Sequence, residues 1–215
     1  MTRGTKHLRR FIMDSSDLLK LLLKRRTTHS LGKDRELDKQ VVIQILREAL
    51  LVAPSFFNAQ TTRMVLLLDD ENEKLWELVK ECLKEHTKER SLAPDTVEKL
   101  NGFKQANGTI LFFEDRSAIS HLRENPRYNR YQTYFDSWSE QTNAIHQYVV
   151  WAALCAQGLG VALQHYNPLV DEHIAAKWKI DSNWQLIAQL VFGKPTGKPK
   201  EKTSTPFEQR VFIYG

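Results

Sequence analysis

Cysteine is scarce in this chain of 215 residues, which has only Cys82 and Cys155. Two isolated cysteines exclude a disulfide scaffold and favour a reducing compartment. Long apolar runs are also lacking, since the longest, Tyr148 to Ala156, is far shorter than the roughly 20 residues of a transmembrane helix. Charged and helix-capping residues from Met13 to Asp17 interrupt any apolar core of a signal peptide. We therefore expect a cytoplasmic protein with no membrane partner.

Glycine and proline are sparse as well, at 9 and 7 residues. This composition excludes a collagen-like or low-complexity chain. Hydrophobic residues make up 41% and charged residues 27% of the sequence, as in ordinary soluble domains. The chain therefore has enough apolar residues to bury a core.

The net charge of +5 is concentrated at one end of the chain. Residues 1–12 contain Arg3, Lys6, Arg9 and Arg10 and no acid, which leaves +1 for the rest. We expect residues 1–12 to be a basic extension, disordered or non-native, and residues 13–215 to form a single domain. A basic arm that binds nucleic acid is the alternative, but the weak charge of the remaining chain favours no nucleic-acid partner.

The hydrophobic periodicity predicts more helices than strands, and the strands do not alternate regularly with the helices. Helices are predicted at 17–24, 38–52, 72–88 and 139–157 and from Pro94 and Pro168, and strands at 64–68, 109–113, 161–163, 184–192 and 211–214. The leucines of the first helix suggest that it is buried, and the helix at 139–157 is the most apolar and should be central. This order favours an α+β fold in one domain.

A basic, hydroxyl-rich segment, Arg25-Arg26-Thr27-Thr28-His29, directly follows the first predicted helix. Guanidinium groups and hydroxyls suit a phosphate, because arginine binds phosphate through two hydrogen bonds and threonine adds another donor. The alternative is a solvated helix end, where the cations offset the helix dipole.

Two further segments combine turn residues with polar side chains. Residues 54–60 offer the amides of Asn58 and Gln60 beside two phenylalanines, as a heterocycle requires, although a simple turn is the alternative. Gly158-Leu159-Gly160 ends the most apolar helix before a short strand. These glycines could bring backbone N–H groups close to a flat ligand, or could simply cap the helix.

Taken together, in this order and spacing, these segments resemble the motifs of the FMN-dependent nitroreductase family. The matching segments are Arg25 to His29, Pro54 to Gln60, Gly158 to Gly160, and Lys202 ahead of Pro206-Phe207-Glu208. The strings from Leu163 to Pro168 and from Phe112 to Asp115 are most similar to the subgroup named for fatty-acid-repression mutants.

The resemblance implies a fold and a set of cofactor contacts. The fold would be a central, mainly antiparallel sheet flanked by helices, with a C-terminal arm exchanged in a homodimer that holds FMN at its interface. Arg25, Arg26, Thr27 and His29 would hold the phosphate and ribityl chain, Lys202 and Ser204 would close the phosphate end, Leu163, Gln164 and His165 would lie beside the flavin ring, and Pro54, Ser55, Asn58 and Gln60 would approach from the partner chain. His29 replaces an arginine or lysine that relatives usually have, which predicts a pH-sensitive phosphate site.

The resemblance also implies an activity, the reduction of nitroaromatic or quinone-like acceptors by NADPH or NADH through a ping-pong mechanism. The chemistry would occur at flavin N5, so no catalytic side chain is expected. No metal site is expected either, because Cys82 and His86 share a helix face without further ligands. The alternative is a flavin-binding regulatory or storage protein with little turnover, because Gln164, His165 and Tyr166 are bulkier than the residues that relatives have beside the ring.

Overall fold

The computed structural model describes residues 15–88 and 91–215. The predicted extension at residues 1–12 lies outside these ranges. Within them, no helix has both the length and the apolar character that crossing a bilayer requires.

Seven α-helices and five strands form the described part of the chain. The helices are α1 (Ser15–Lys24), α2 (Lys39–Val52), α3 (Asp70–Thr87), α4 (Pro94–Lys104), α5 (Arg116–Arg123), α6 (Phe135–Ala156) and α7 (Asp171–Trp178). The strands are β1 (Leu31–Gly32), β2 (Thr62–Leu68), β3 (Gly108–Asp115), β4 (Gly160–Gln164) and β5 (Trp184–Pro195). Short 3₁₀ helices occupy Phe56–Asn58, Pro126–Tyr134 and Phe207–Gln209.

The five strands form one antiparallel sheet in which β5 is central. One edge of β5 pairs with β3, which in turn pairs with β2. The other edge pairs first with β4 and then with the short β1. The sheet therefore places the start of β4 next to the segment that joins α1 to β1.

Alternation along β3 supplies a core on each face of the sheet, as the two-residue period of a strand requires. Ile110 and Phe112 belong to a buried cluster with α2 and α6, whereas Leu111 and Phe113 belong to a cluster with α3, α4 and α7. Every residue of β3 is buried. The run at 109–113, predicted to be a buried strand, is confirmed.

Most predicted elements are confirmed, with ends shifted by a few residues. The helix predicted from Pro168 begins at Asp171, and α5 and β1 were not predicted. A sequence pattern cannot reveal β1, because its two residues are ordered by pairing with Lys194 and Pro195 at the far end of β5.

Two predictions are wrong in this protomer. The leucine-rich helix α1 contains no buried residue, since α6 covers its apolar face only in part and leaves Leu18, Leu19 and Leu23 exposed. Residues 211–214 form no strand, and their side chains are exposed. A strand needs a neighbour to satisfy its backbone hydrogen bonds, and the described part of the protomer offers none there.

Candidate functional site

The basic segment after α1 is held against β4 by backbone contacts. Thr27 forms an isolated parallel bridge with Val161, and the Thr28 amide donates to the Val161 carbonyl at 2.9 Å. Just beyond, the Thr196 amide donates to the Ser30 carbonyl at 2.9 Å. The basic segment therefore lies between the first residues of β4 and the chain that leaves β5.

The C-terminal chain completes a cationic cavity of about 440 Å³ over this segment. The guanidinium group of Arg26 donates to the carbonyl of Lys200 and fastens the two chains together. The cavity is lined by Arg25, Arg26, Thr27, His29, Ser30, Lys198, Pro199, Lys200, Glu201, Lys202 and Thr203. The lining contains two arginines and three lysines but only one carboxylate, so the cavity suits an anion.

Arg25 is fixed by aromatic side chains of α6. Its guanidinium carbon lies 4.5 Å from the ring centroid of Trp151 and 5.8 Å from that of Tyr148. Its Nε atom is buried and has no hydrogen-bond partner among the residues that the structure describes. A buried donor without a partner costs free energy, and a phosphate oxygen could satisfy it. Arg25 therefore fits the predicted phosphate group of FMN.

His29 lies between this cavity and a neighbouring one of about 630 Å³ beside α4. Its imidazole packs edge-on against Phe103, with 6.1 Å between the ring centroids. Burial lowers the pKa of His29 below its ordinary value of 6.5, and the charges of Lys99 and Lys200 lower it further. The two lysines that contribute to this lowering create a positive potential at the site, which would also attract a phosphate.

The residues predicted to lie beside the flavin ring follow on β4. Leu163 packs in the apolar cluster with α2 and α6, and the Gln164 side-chain amide donates to the Leu163 carbonyl at 2.7 Å. Tyr166 turns away into the core, where its ring centroid lies 5.9 Å from that of Trp76. Tyr166 therefore does not narrow this site, contrary to the expectation from sequence.

The segment from Pro54 to Gln60 forms a tight loop between α2 and β2. Phe57, Asn58 and Gln60 have φ angles of 48°, 57° and 50°, which non-glycine residues rarely adopt. The backbone N–H of Asn58 donates to the Ser55 carbonyl at 3.1 Å, and the backbone N–H of Gln60 donates to the Ser55 hydroxyl at the same distance. Ser55 therefore shapes the loop, a role that its position in the sequence motif does not disclose.

A cavity of about 550 Å³ opens on one side of this loop. Ser55, Asn58 and Gln60 line it together with Arg63 of β2 and His146 of α6. His146 is only 3% exposed, and its Nδ1 atom contacts the Thr142 carbonyl at 2.9 Å. Because a carbonyl only accepts, His146 donates from Nδ1, which leaves Nε2 as the acceptor.

An aromatic cluster flanks the other side of the loop. Phe57 stacks on Tyr128 with 4.5 Å between ring centroids and an interplanar angle of 20°. Phe56 contacts Phe135 and Trp138, and an apolar cleft of about 440 Å³ runs between this loop and α6. Tyr128 thus packs on the loop, and Trp138 both packs on it and lines the cleft.

Eight of the thirteen predicted cofactor residues fall into two groups that line different cavities of the protomer. Arg25, Arg26, Thr27, His29 and Lys202 share the cationic cavity, whereas Ser55, Asn58 and Gln60 share the cavity at the loop. Pro54 lines the apolar cleft. Leu163, Gln164 and His165 are at the end of β4, and Ser204 is exposed on the C-terminal chain.

Sequence reasoning missed several residues of both cavities. Lys200 lines the first cavity and Trp151 packs on its Arg25, whereas Arg63 and His146 line the second. The cation run from Lys198 to Lys202 was a signal for Lys200, but a buried histidine or tryptophan on an apolar helix gives no such signal. In the described ranges, no group of three or more potential metal ligands occurs.

An antiparallel sheet covered by helices, with a cationic cavity where β4 meets the chain leaving β5, defines the class of protein. Residues 22–194 match the nitroreductase family, and the chain belongs to this family of oxidoreductases. The family and the fold class predicted from the motifs are thereby confirmed.

Among its relatives, HBN1 of Saccharomyces cerevisiae is 32% identical over 200 residues, covering 90% of this chain and 96% of HBN1. Nitroreductase FRM2 of the same yeast is 28% identical over 193 residues, covering 88% and 93%. FRM2 represents the fatty-acid-repression-mutant subgroup, which confirms that part of the prediction.

Solved structures extend the comparison. Nitroreductase CinD from Lactococcus lactis, in complex with chloramphenicol, is 40% identical, covers 92% of this chain and 100% of its own, and superimposes with a TM-score of 0.83. A protein from Desulfovibrio desulfuricans, in complex with FMN, is 16% identical over 92% of this chain and 96% of its own, with a TM-score of 0.65. The second similarity is one of fold alone.

Proposed function

We propose that this protein is an FMN-dependent oxidoreductase that uses NADPH or NADH to reduce nitroaromatic or quinone-like acceptors. The observation that carries the proposal is the cationic cavity that Arg25 lines together with Thr27 and Lys202. The buried Nε of Arg25 has no hydrogen-bond partner among the described residues. A dianionic phosphate is the group of FMN that such a cavity suits.

Each residue of the cavity has a distinct task in this proposal. Arg25 and Arg26 would hold the phosphate, Thr27 and His29 would contact the phosphate and ribityl chain, and Lys202 with Ser204 would close the phosphate end. A charge-assisted hydrogen bond contributes roughly 1.5 to 3 kcal/mol. Three such bonds supply much of the roughly 8 kcal/mol that micromolar affinity needs.

The other predicted contacts require a second copy of the chain. Ser55, Asn58 and Gln60 line a different cavity from Arg25, so we propose that this loop, with Pro54, reaches the flavin bound by the partner subunit. Large apolar side chains are exposed on α1, at the end of α2 and on the C-terminal chain. Burial of these surfaces would stabilise a homodimer in which the C-terminal arms are exchanged.

FMN, when bound, supplies hydride transfer at N5, which explains why no acid–base pair is needed from the protein. The protein would orient the ring beside Leu163 and Gln164 at the end of β4 and beside His165, which follows the strand. NAD(P)H and the acceptor would use the same site in turn, which gives ping-pong kinetics. The free cysteines Cys82 and Cys155 agree with a reducing compartment, and we place the protein in the cytoplasm.

The aromatic cluster supports a flat acceptor. Phe56, Phe57 and Trp138 border an apolar cleft beside the loop that would approach the flavin. CinD is solved with chloramphenicol and with 4-nitrophenol, and both contain a nitrobenzene ring. A nitroaromatic compound is therefore the acceptor with which to test the chain.

The decisive experiment measures colour and turnover in the same preparation. Purified protein should be yellow with FMN, and should oxidise NADPH or NADH when 4-nitrophenol or a quinone is added. Flavin without turnover on either nucleotide would favour the regulatory or storage alternative. Colourless protein that takes up no added FMN would overturn the proposal.

The phosphate assignment predicts that Arg25→Ala yields colourless protein. Removing this guanidinium leaves the phosphate with fewer charge-assisted bonds, and FMN affinity should fall at least tenfold, since one such bond is worth about 1.5 kcal/mol or more. Arg123→Ala is the matched control, because Arg123 pairs with Asp136 on the surface away from the cavity. Fluorescence titration of the apoproteins with FMN gives both affinities, and equal values would refute the assignment.

A further inference from the structure

Arg63, the second residue of β2, binds the end of the loop at 54–60 and an acid of β3 through the two terminal nitrogens of its guanidinium group. Its Nη1 donates to the Gln60 carbonyl at 2.8 Å and to the Thr62 carbonyl at 3.2 Å. Its Nη2 forms a salt bridge with Asp115 at 2.8 Å. Its guanidinium carbon also lies 6.0 Å from the ring centroid of Trp184. Arg63 therefore joins the loop to the end of β3.

The loop needs such an external support because its backbone is strained. Phe57, Asn58 and Gln60 all have positive φ angles, and this conformation is unfavourable for residues that carry a Cβ atom. Hydrogen bonds within the loop, from Asn58 and Gln60 to Ser55, hold its first part. The Gln60 carbonyl is held by Arg63, so this bond secures the last strained residue.

Asp115 is a rigid anchor for Arg63. One carboxylate oxygen caps α5 by accepting from the amides of Ser117 and Ala118, at 3.0 and 3.2 Å, and the other accepts from Arg63. Burial opposes ionisation of Asp115, but the bonds from Ser117 and Ala118 and the charge of Arg63 outweigh it and lower the pKa of this carboxyl. Asp115 therefore stays charged at neutral pH.

We propose that Arg63 is a positioning residue for the cofactor, acting through Gln60. The geometry fixes the strained loop so that Ser55, Asn58 and Gln60 present their polar groups to the flavin. This inference rests on the proposed function, in which the loop contacts FMN of the partner subunit. Lysine cannot replace Arg63, because a single ammonium group cannot reach two carbonyls and a carboxylate in the same plane.

The test compares FMN binding by apoproteins of the wild type, Arg63→Ala, Arg63→Lys and Asp115→Asn. Arg116→Ala is the matched control, because Arg116 is also paired with acids, Asp136 and Glu140, but makes no bond to the loop. We expect Arg63→Ala to raise the Kd for FMN about tenfold, because FMN binding must then order a loop that Arg63 no longer holds. Arg63→Lys and Asp115→Asn should also raise the Kd for FMN, and Arg116→Ala should leave this Kd unchanged.

A second measurement separates positioning from stability. Each variant is saturated with FMN, and the visible circular dichroism of the bound flavin is recorded beside the melting temperature of the apoprotein. Arg63→Ala should change the flavin spectrum, whereas Arg116→Ala should change at most the melting temperature. Adding Asp115→Asn to Arg63→Ala should raise the Kd no further, because both residues act through one contact.

The outcomes distinguish a failure of the proposed function from a failure of the role assigned to Arg63. If wild-type protein binds no FMN, the proposed function fails, and this inference fails with it. If wild-type protein binds FMN while Arg63→Ala and Arg63→Lys retain its Kd and spectrum, only the role of Arg63 is overturned. A spectrum that changes equally in Arg63→Ala and Arg116→Ala would also overturn it.

Discussion

At the residue scale, Arg25 and His29, four positions apart, line the same cavity in different ways. The guanidinium group of Arg25 packs on Trp151, and its buried Nε has no hydrogen-bond partner among the described residues. Burial and the charges of Lys99 and Lys200 lower the pKa of His29 and favour its neutral form. The nitroreductase motif that this segment resembles usually has arginine or lysine at the position of His29. We therefore expect the pH dependence of the phosphate site to come from His29.

For His29 we predict a pH-dependent stability of the flavin-free protein. Unfolded His29 takes up a proton at its ordinary pKa of 6.5, but folded His29 does so only at lower pH. The unfolded state then binds more protons, so stability rises with pH across the interval just below 6.5 and is lost as pH falls.

Urea unfolding of wild type and His29→Gln across this interval measures the effect. The difference in unfolding free energy between the two proteins should change in favour of the wild type as pH rises. Saturating FMN should reduce this change, since a phosphate offsets the two lysines. A difference that is constant with pH would contradict the prediction.

At the element scale, the buried side chain of Asn72 joins three elements. On α3, its amide nitrogen donates to the Phe103 carbonyl at 2.9 Å, near the end of α4. Its amide oxygen accepts from Trp76 at 3.2 Å and from Thr109 of β3 at 2.7 Å. The same α4 borders the cavity beside His29, so Asn72 positions a helix close to the functional site without lining that site.

Asn72→Ala should destabilise the protein by about 2 kcal/mol or more, because it leaves buried donors and acceptors unsatisfied. The change is measured by urea unfolding of the apoprotein. Asn101→Ala is the matched control, because Asn101 is exposed on α4, and its loss should change stability by less than about 0.5 kcal/mol. Equal effects of the two substitutions would show that the network around Asn72 contributes little.

At the scale of the whole molecule, the apolar surface of the protomer is unusually exposed in three places. Leu23 of α1 is 76% exposed, Leu51 of α2 is 79% exposed, and Ile213 and Tyr214 of the C-terminal chain are 82% and 92% exposed. Large patches of this kind mark interaction surfaces. The proposed homodimer would cover them and would bring the loop at 54–60 to the other subunit's phosphate cavity.

Deleting residues 204–215 should therefore produce monomers and lose FMN, although Ser204 is the one predicted cofactor residue that it removes and the whole lining of the cationic cavity is retained. The reason is that the exposed apolar residues of this arm would no longer hold the partner subunit. Sedimentation velocity and the flavin content of the purified protein measure the two effects. Deleting residues 1–12, which is a truncation of equal length, should leave both unchanged, since the predicted cofactor residues all follow it. A dimeric, yellow protein after the C-terminal deletion would refute the arm exchange.

The sequence by itself predicted most of the elements and the segment that we assign to the phosphate. Periodicity located β3 and α6, because a strand or helix with one buried face repeats its apolar residues at a fixed spacing. The clustered charges of Arg25 and Arg26 predicted an anion site, because these residues are adjacent in the chain. Family motifs then linked them to Lys202.

Only the tertiary structure decided how distant residues combine. Trp151 under Arg25, His146 beside Asn58, and Arg63 between Gln60 and Asp115 are pairs that no local pattern predicts, since sheet pairing and helix packing bring them together. The tertiary structure also showed that Tyr166 packs against the core and that no leucine of α1 is buried. The physical reason is that periodicity reports which face of an element is apolar, whereas packing alone determines what that face meets.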